Sequence, residues 1–160
     1  MIKVLMILSV FLLLGLILAV MGHKHVHHEI MIAASPEEVW AVIIDTDLYA
    51  EWNPAITVKK GDLIEGETIL YDFKQNEDKS YDILATVKEM KEGQLLNQVG
   101  GRVGLLTFDH KYMLESVKNS TKVTIHEEYR GIGVHFWDPA PLEVVYGQVN
   151  TALKRRIESR

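Results

Sequence analysis

The sequence predicts an α+β fold: a curved antiparallel sheet of about seven strands around a long C-terminal helix. Two short helices follow the first strand, and an apolar helix precedes the whole. Three observations predict it. From Ile56 to Tyr129 apolar and polar residues alternate between turn signals, the pattern of an antiparallel sheet with one wet face. From Pro141 to Glu158 apolar residues recur at helical spacing. That helix is the only large cover available for the sheet's dry face, so the sheet must bend around it.

The chain has 160 residues, enough for one domain and a small addition. The addition is residues 1–22. An apolar run from Val4 to Met21 is preceded by a single charged side chain, Lys3, and as a helix it reaches about 27 Å, close to the thickness of a bilayer core. Being apolar on every side, it does not suit a buried core helix. A cleaved signal peptide is the alternative, with cleavage after Gly22. The run is longer than a typical signal h-region, and Ala19-Val20-Met21-Gly22 is a poor site. An uncleaved single-pass membrane anchor is therefore expected. With Lys3 on one side and Lys24 on the other, the positive-inside rule does not decide which side the domain faces. Residues 23–28, with four histidines, read as a juxtamembrane linker, and residues 29–160 as the domain.

Apart from Lys3 and Lys24, the chain holds 15 basic against 22 acidic residues. That balance excludes a nucleic-acid surface, which needs a basic stripe. Cysteine is absent, which excludes disulfides, thiolate metal sites and a cysteine nucleophile.

The elements follow in order. His28 to Ala33 reads as a strand with Ile30 and Ile32 on one face. Ser35-Pro36-Glu37-Glu38 starts a helix: Ser35 caps, Pro36 suits the first helical position, and the acids suit the positive end of the dipole. Asp45-Thr46-Asp47 interrupts it, a second short helix covers Leu48 to Glu51, and Asn53-Pro54 ends that region. Strands follow at Thr68–Phe73, Tyr81–Val87, more weakly at Gln94–Val99, and at Leu106–Leu114. Asn119-Ser120 marks a hairpin into a strand that places Val123, Ile125, Glu127 and Tyr129 on one face. In the last helix Leu142, Val145, Val149, Ala152, Leu153 and Ile157 form the stripe, and Lys154, Arg155, Arg156 and Arg160 lie at its end.

This order and four local motifs resemble the START-like (SRPBCC) superfamily, and within it the polyketide cyclase/dehydrase-type group. The motifs are Ile32-Ala33-Ala34-Ser35-Pro36-Glu37-Glu38-Val39-Trp40; Asp45 through Tyr49 to Trp52-Asn53-Pro54; Glu127-Glu128-Tyr129-Arg130-Gly131; and Asn150-Thr151-Ala152-Leu153-Lys154. The resemblance covers nearly all of residues 28–160. It implies a helix-grip fold, with Trp40 and Trp52 packing the short helices against the sheet. Members of the superfamily bind sterols, lipids, quinones or polyketides, and some catalyse. The apolar run is not part of the usual family pattern.

The inward faces carry polar aromatic side chains where a filled core would use Leu, Ile and Val. Tyr71, Tyr81, Phe108, His110, Tyr112, Glu127, Tyr129 and Trp137 are the candidate ligand-binding residues, because apolar pockets with a few convergent polar groups are typical ligand sites. Glu127 and His110 are candidates for an acid or base, and a satisfied ion pair is the alternative. His25 and His27 share a strand face and are of metal-binding type, but only Glu29 stands nearby as a carboxylate, so no metal and no cofactor is expected. Gly100-Gly101-Arg102-Val103-Gly104 precedes a strand, and so is not a phosphate loop. Gly131 to Trp137 reads as a loop beside the cavity entrance, with Phe136 and Trp137 as lid, lipid contact or packing. No nucleophile elbow occurs. Three functions stay open: binding or transfer of a lipophilic small molecule with residues 4–21 in a membrane, a polyketide cyclase/dehydrase-type enzyme, or a non-catalytic interaction module of a membrane complex. The sequence names no protein partner.

Overall fold

The computed structural model describes residues 2–76 and 79–159, so Arg160, expected at the end of the last helix, lies outside the described residues. Helix α1 (Ile2–Met21) leads into strand β1 (His23–Ile32). Helix α2 (Pro36–Ile44), a 3₁₀ turn at Thr46–Leu48 and helix α3 (Tyr49–Trp52) follow. Strands β2 (Ile56–Lys60), β3 (Thr68–Asn76), β4 (Lys79–Lys91), β5 (Leu95–Arg102), β6 (Leu106–Val117) and β7 (Ser120–Arg130) form a meander, then a 3₁₀ turn at Ile132–Phe136 and helix α4 (Ala140–Glu158). The seven strands make one antiparallel, curved sheet in the order β1-β7-β6-β5-β4-β3-β2. Helix α4 lies across its inner face, against β1 and β7, with α2 and α3 beside it.

Local chemistry explains these elements. Ser35 Oγ accepts from the Glu38 backbone N–H and Glu38 Oε2 from that of Ser35, a capping box that starts α2. Asn53 Oδ1 accepts from the Ala55 and Ile56 amides at 3.0 Å each, turning the chain from α3 into β2. Trp40 and Trp52 are buried in the shared core. The α4 stripe seats Leu142, Val145, Val149 and Leu153 in that core.

Two expectations are corrected. Residues 23–28 are not a linker: they form the first half of β1, paired from His23↔Arg130 to His28↔Ile125. The period of two was present, with His23, His25 and His27 outward and Lys24, Val26 and His28 inward, but a polar majority hid it. Val26 alone supplies the apolar inward contact, fully buried. His28 accepts from the Asn150 amide, and Lys24 Nζ donates to the Trp137 carbonyl. Strand β5 continues past Val99 to Arg102 because Gly100 has no side chain: a Cβ there would collide with the Leu84 carbonyl and the Phe108 ring.

No spacer separates α1 from the domain. Gly22 is the single residue between α1 and β1, and its carbonyl accepts from the Gly131 amide at 3.1 Å. A Cβ at Gly22 would overlap the Gly131 carbonyl and Val134. Gly22→Val is therefore expected to cost about 1–3 kcal/mol, as overpacking does, and to loosen the 3₁₀ turn from α1. Thermal unfolding and proteolysis at residues 131–137 would read this; unchanged values would refute the tight junction.

Candidate functional site

Between the sheet and α4 lies a cavity of about 790 Å³, within the range of small-molecule sites. Strand alternation sets its wall: Tyr71 and Phe73 from β3, Gln98 from β5, Phe108, His110 and Tyr112 from β6, Glu127 and Tyr129 from β7. Helix α4 closes it with Leu142 and Tyr146, and Trp137 stands beside them.

The polar groups are concentrated in one row. Register places Gln98 opposite His110 and His110 opposite Glu127. His110 Nδ1 is 3.5 Å from Glu127 Oε2, and the two residues are only 8% and 5% exposed. Tyr146 reaches down from α4 and donates its hydroxyl to Glu127 Oε2. The His110 ring stands edge-on to Tyr112 and Tyr146, with centroids 5.2 and 5.5 Å away. Gln98 Nε2 donates to the Tyr71 hydroxyl at 2.7 Å. The Tyr129 ring stands edge-on to Trp137 at 4.6 Å.

Burial raises the pKa values of the cavity phenols. Tyr71 is pushed up to about 12 by desolvation, against the hydrogen bond from Gln98. Tyr112 rises well above the usual phenol range through burial, then through Tyr71 and Glu127. Tyr129 rises through burial and the adjacent Glu127 carboxyl, and Tyr49 through burial with smaller contributions from Tyr112, Tyr71 and Asp45. All four keep their protons at neutral pH. In the unfolded chain a phenol ionises near about 10, so the folded state binds more protons above that pH. Stability is then expected to be flat below about pH 10 with respect to these groups and to fall above it. Phenolate absorbance and unfolding midpoints measured together over that range would check this; full ionisation of every tyrosine before unfolding would contradict the buried wall.

All eight residues singled out as ligand-binding candidates line the cavity. Tyr81 sits at the rim, about half exposed; the other seven lie deeper. Tyr146, Gln98, Tyr49 and Asn53 also line it and were not singled out. Tyr146 had a signal: it stands four residues after Leu142, on the buried face of α4. Gln98 had only its place on the inward face of a weak strand.

The opening has a structural cause. Pairing between β4 and β5 stops at Ala85↔Gly100, while β3–β4 and β5–β6 stay paired beyond it. The two hairpins splay apart, and the gap is edged by Tyr81, Leu84 and Arg102, all exposed. Among the described residues lining the cavity none is Ser, Thr, Cys or Lys. Among the described residues no group of three or more side chains is placed to hold a metal ion.

A model of the family described as "Polyketide cyclase / dehydrase and lipid transport" matches residues 23–159. A comparison with curated protein sequences finds no significant match. Solved structures with the same fold include a Chromobacterium violaceum protein, at TM-score 0.71 and 15% identity over 84% of this chain and 98% of that one. A START superfamily protein from Mycobacterium smegmatis aligns at TM-score 0.63 and 16% identity, covering 86% and 99% of the two chains. The di-domain ARO/CYC BexL from the BE-7585A biosynthetic pathway aligns at TM-score 0.71 and 11% identity, over 92% of this chain and 54% of that one. At these identities the likeness concerns the fold.

Proposed function

We propose, from the premise that the chain belongs to the polyketide cyclase/dehydrase and lipid transport family, that it is a membrane-anchored domain that binds or transfers a lipophilic small molecule. The observation that carries this reading is the open, mostly apolar cavity with one buried polar row at Gln98, His110 and Glu127. An apolar ligand body fits the wall of Phe73, Phe108 and Leu142, and its polar end meets Glu127, His110 and the hydroxyl donors around them. Such a division is how apolar pockets orient their ligands.

The anchor is supported by α1, whose 20 residues have a mean hydropathy of 3.1 in their most apolar window and no buried residue. The place of the cavity mouth adds to this. The start of β1, joined to α1, pairs with the end of β7, which pairs with the start of β6 and so with the end of β5. The mouth is therefore at the same end of the sheet as α1. That end also displays Val103 (91% exposed), Phe136 (82% exposed), Leu84 and Leu105. The Ile132 and Gly133 amides bond to the Gly104 and Leu105 carbonyls, and His135 Nε2 lies 3.0 Å from the Leu18 carbonyl. Apolar side chains beside a span suit the bilayer interface, and a mouth placed there would take cargo from the lipid phase.

The Glu127–His110 pair favours a second reading, an enzyme in which one of the two is acid or base. Turnover lost in Glu127→Gln with binding retained would select it. An interaction module calls for a filled cavity, and the 790 Å³ space counts against it. The test is native mass spectrometry of the full chain released from detergent, followed by organic extraction. A discrete apolar molecule, lost on replacing Tyr112 or Glu127, is expected. A clean apo mass with no thermal shift across lipids, quinones and polyketides would sink the carrier reading.

A further inference from the structure

The outer face of the sheet, away from the cavity, carries a histidine ladder. His23, His25 and His27 alternate outward along β1. Strand pairing sets His126 of β7 directly opposite His27, and the two Nδ1 atoms are 3.4 Å apart. The remote nitrogen of each ring faces a carboxylate: His27 Nε2 is 3.4 Å from Glu29 Oε1, and His126 Nε2 is 3.7 Å from Glu128 Oε1. The His25 ring, also on β1, lies beside His126, with centroids 5.9 Å apart.

The geometry points to a divalent transition-metal site on the β1–β7 face, with His27 Nδ1 and His126 Nδ1 as its two protein ligands. Metal–nitrogen bonds of about 2.0–2.1 Å at a tetrahedral angle place two ligand nitrogens about 3.4 Å apart. A carboxylate on the far nitrogen holds the proton there and leaves the near lone pair free for a metal, the usual support of a ligating histidine. Imidazole donors select Zn²⁺, Cu²⁺ or Ni²⁺ over Mg²⁺ or Ca²⁺. No third side chain converges on the pair among the described residues, so water completes the coordination, or His25 after a rotamer change. The ion would clip the middle of β1, an edge strand, to β7. Since β1 continues through Gly22 into α1, the clip fixes the strand that carries the anchor. The β1–β7 face lies outside the cavity, and the ion would bind there whatever the cavity holds.

The test uses the full chain in detergent micelles, made without an affinity tag and stripped with a chelator. Zn²⁺ and, separately, Mg²⁺ are titrated by calorimetry, and Co²⁺ is followed by its visible absorption. One Zn²⁺ per chain, a tetrahedral Co²⁺ band and no Mg²⁺ binding are expected. His27→Gln and His126→Gln should each weaken Zn²⁺ at least about tenfold, that is about 1.4 kcal/mol, while His135→Gln leaves it unchanged. Zn²⁺ should raise the unfolding temperature of the parent and not of either variant. His27 is largely exposed, so its variant tests the site even if His126→Gln folds poorly. No Zn²⁺ binding by the parent, or equal binding by the parent and His27→Gln, would overturn the assignment.

Discussion

Leu153→Ala is expected to lower the unfolding free energy by about 2–5 kcal/mol, the range for large-to-small changes in a close-packed core. Leu153 is fully buried on α4, the helix on which the inner face of the sheet depends for cover. Removing its terminal isopropyl group leaves a void between α4 and the sheet that neither rigid element can close. Because small domains hold only about 5–15 kcal/mol in total, the variant should be visibly marginal. Val144→Ala, on the exposed side of the same helix, controls for helix propensity and should stay within about 0.5 kcal/mol. Chemical denaturation of both in the same detergent decides the matter. A loss below about 1 kcal/mol for Leu153→Ala would mean that α4 is not seated as described.

Glu127→Leu is expected to have the second large effect, on stability and ligand retention together. The change keeps a similar volume but takes the acceptor from the Tyr146 hydroxyl and the partner from His110. A buried donor left without a partner costs about 1–3 kcal/mol. Under the proposed carrier function, a co-purifying ligand should fall at least about tenfold, since its polar end would lose the carboxyl. Tyr146→Phe supplies the cycle: if the hydroxyl bonds to Glu127, the double variant should be less destabilised than the sum of the singles, by about 0.5–3 kcal/mol. Strict additivity would show that the two residues act independently.

The polar row shows how far a sequence reaches. Alternation around His110 and Glu127 put both on the inward face, and the structure places them opposite each other across β6 and β7. The alternation fixes the face because a one-residue slip would reverse every side chain. It does not say that α4 returns over that row and lowers Tyr146 onto Glu127. That contact joins residues on different elements and depends on the packing depth of α4. Residues 23–28 show the opposite failure: period two was visible there, but the wet face of that stretch is all histidine and its dry face has Val26 as its one apolar residue, so composition outweighed pattern. His27 and His126 are 99 positions apart, and no spacing rule joins them. Only pairing of β1 with β7 makes them neighbours.

Taken alone, the sequence determined most of the element types, the capped start of α2, the apolar anchor-like helix and eight of the residues that line the cavity. Each of these follows from local forces: backbone sterics, capping hydrogen bonds and the burial of one face of a periodic segment. Tertiary structure decided the rest. The β4–β5 pairing stops at Ala85↔Gly100 and leaves the mouth open, α1 is joined to the domain at that same end, and Tyr146 and the His27–His126 pair find partners far along the chain. These depend on which strands become neighbours and how deeply the last helix sits, and such relations arise from long-range packing that no local pattern encodes.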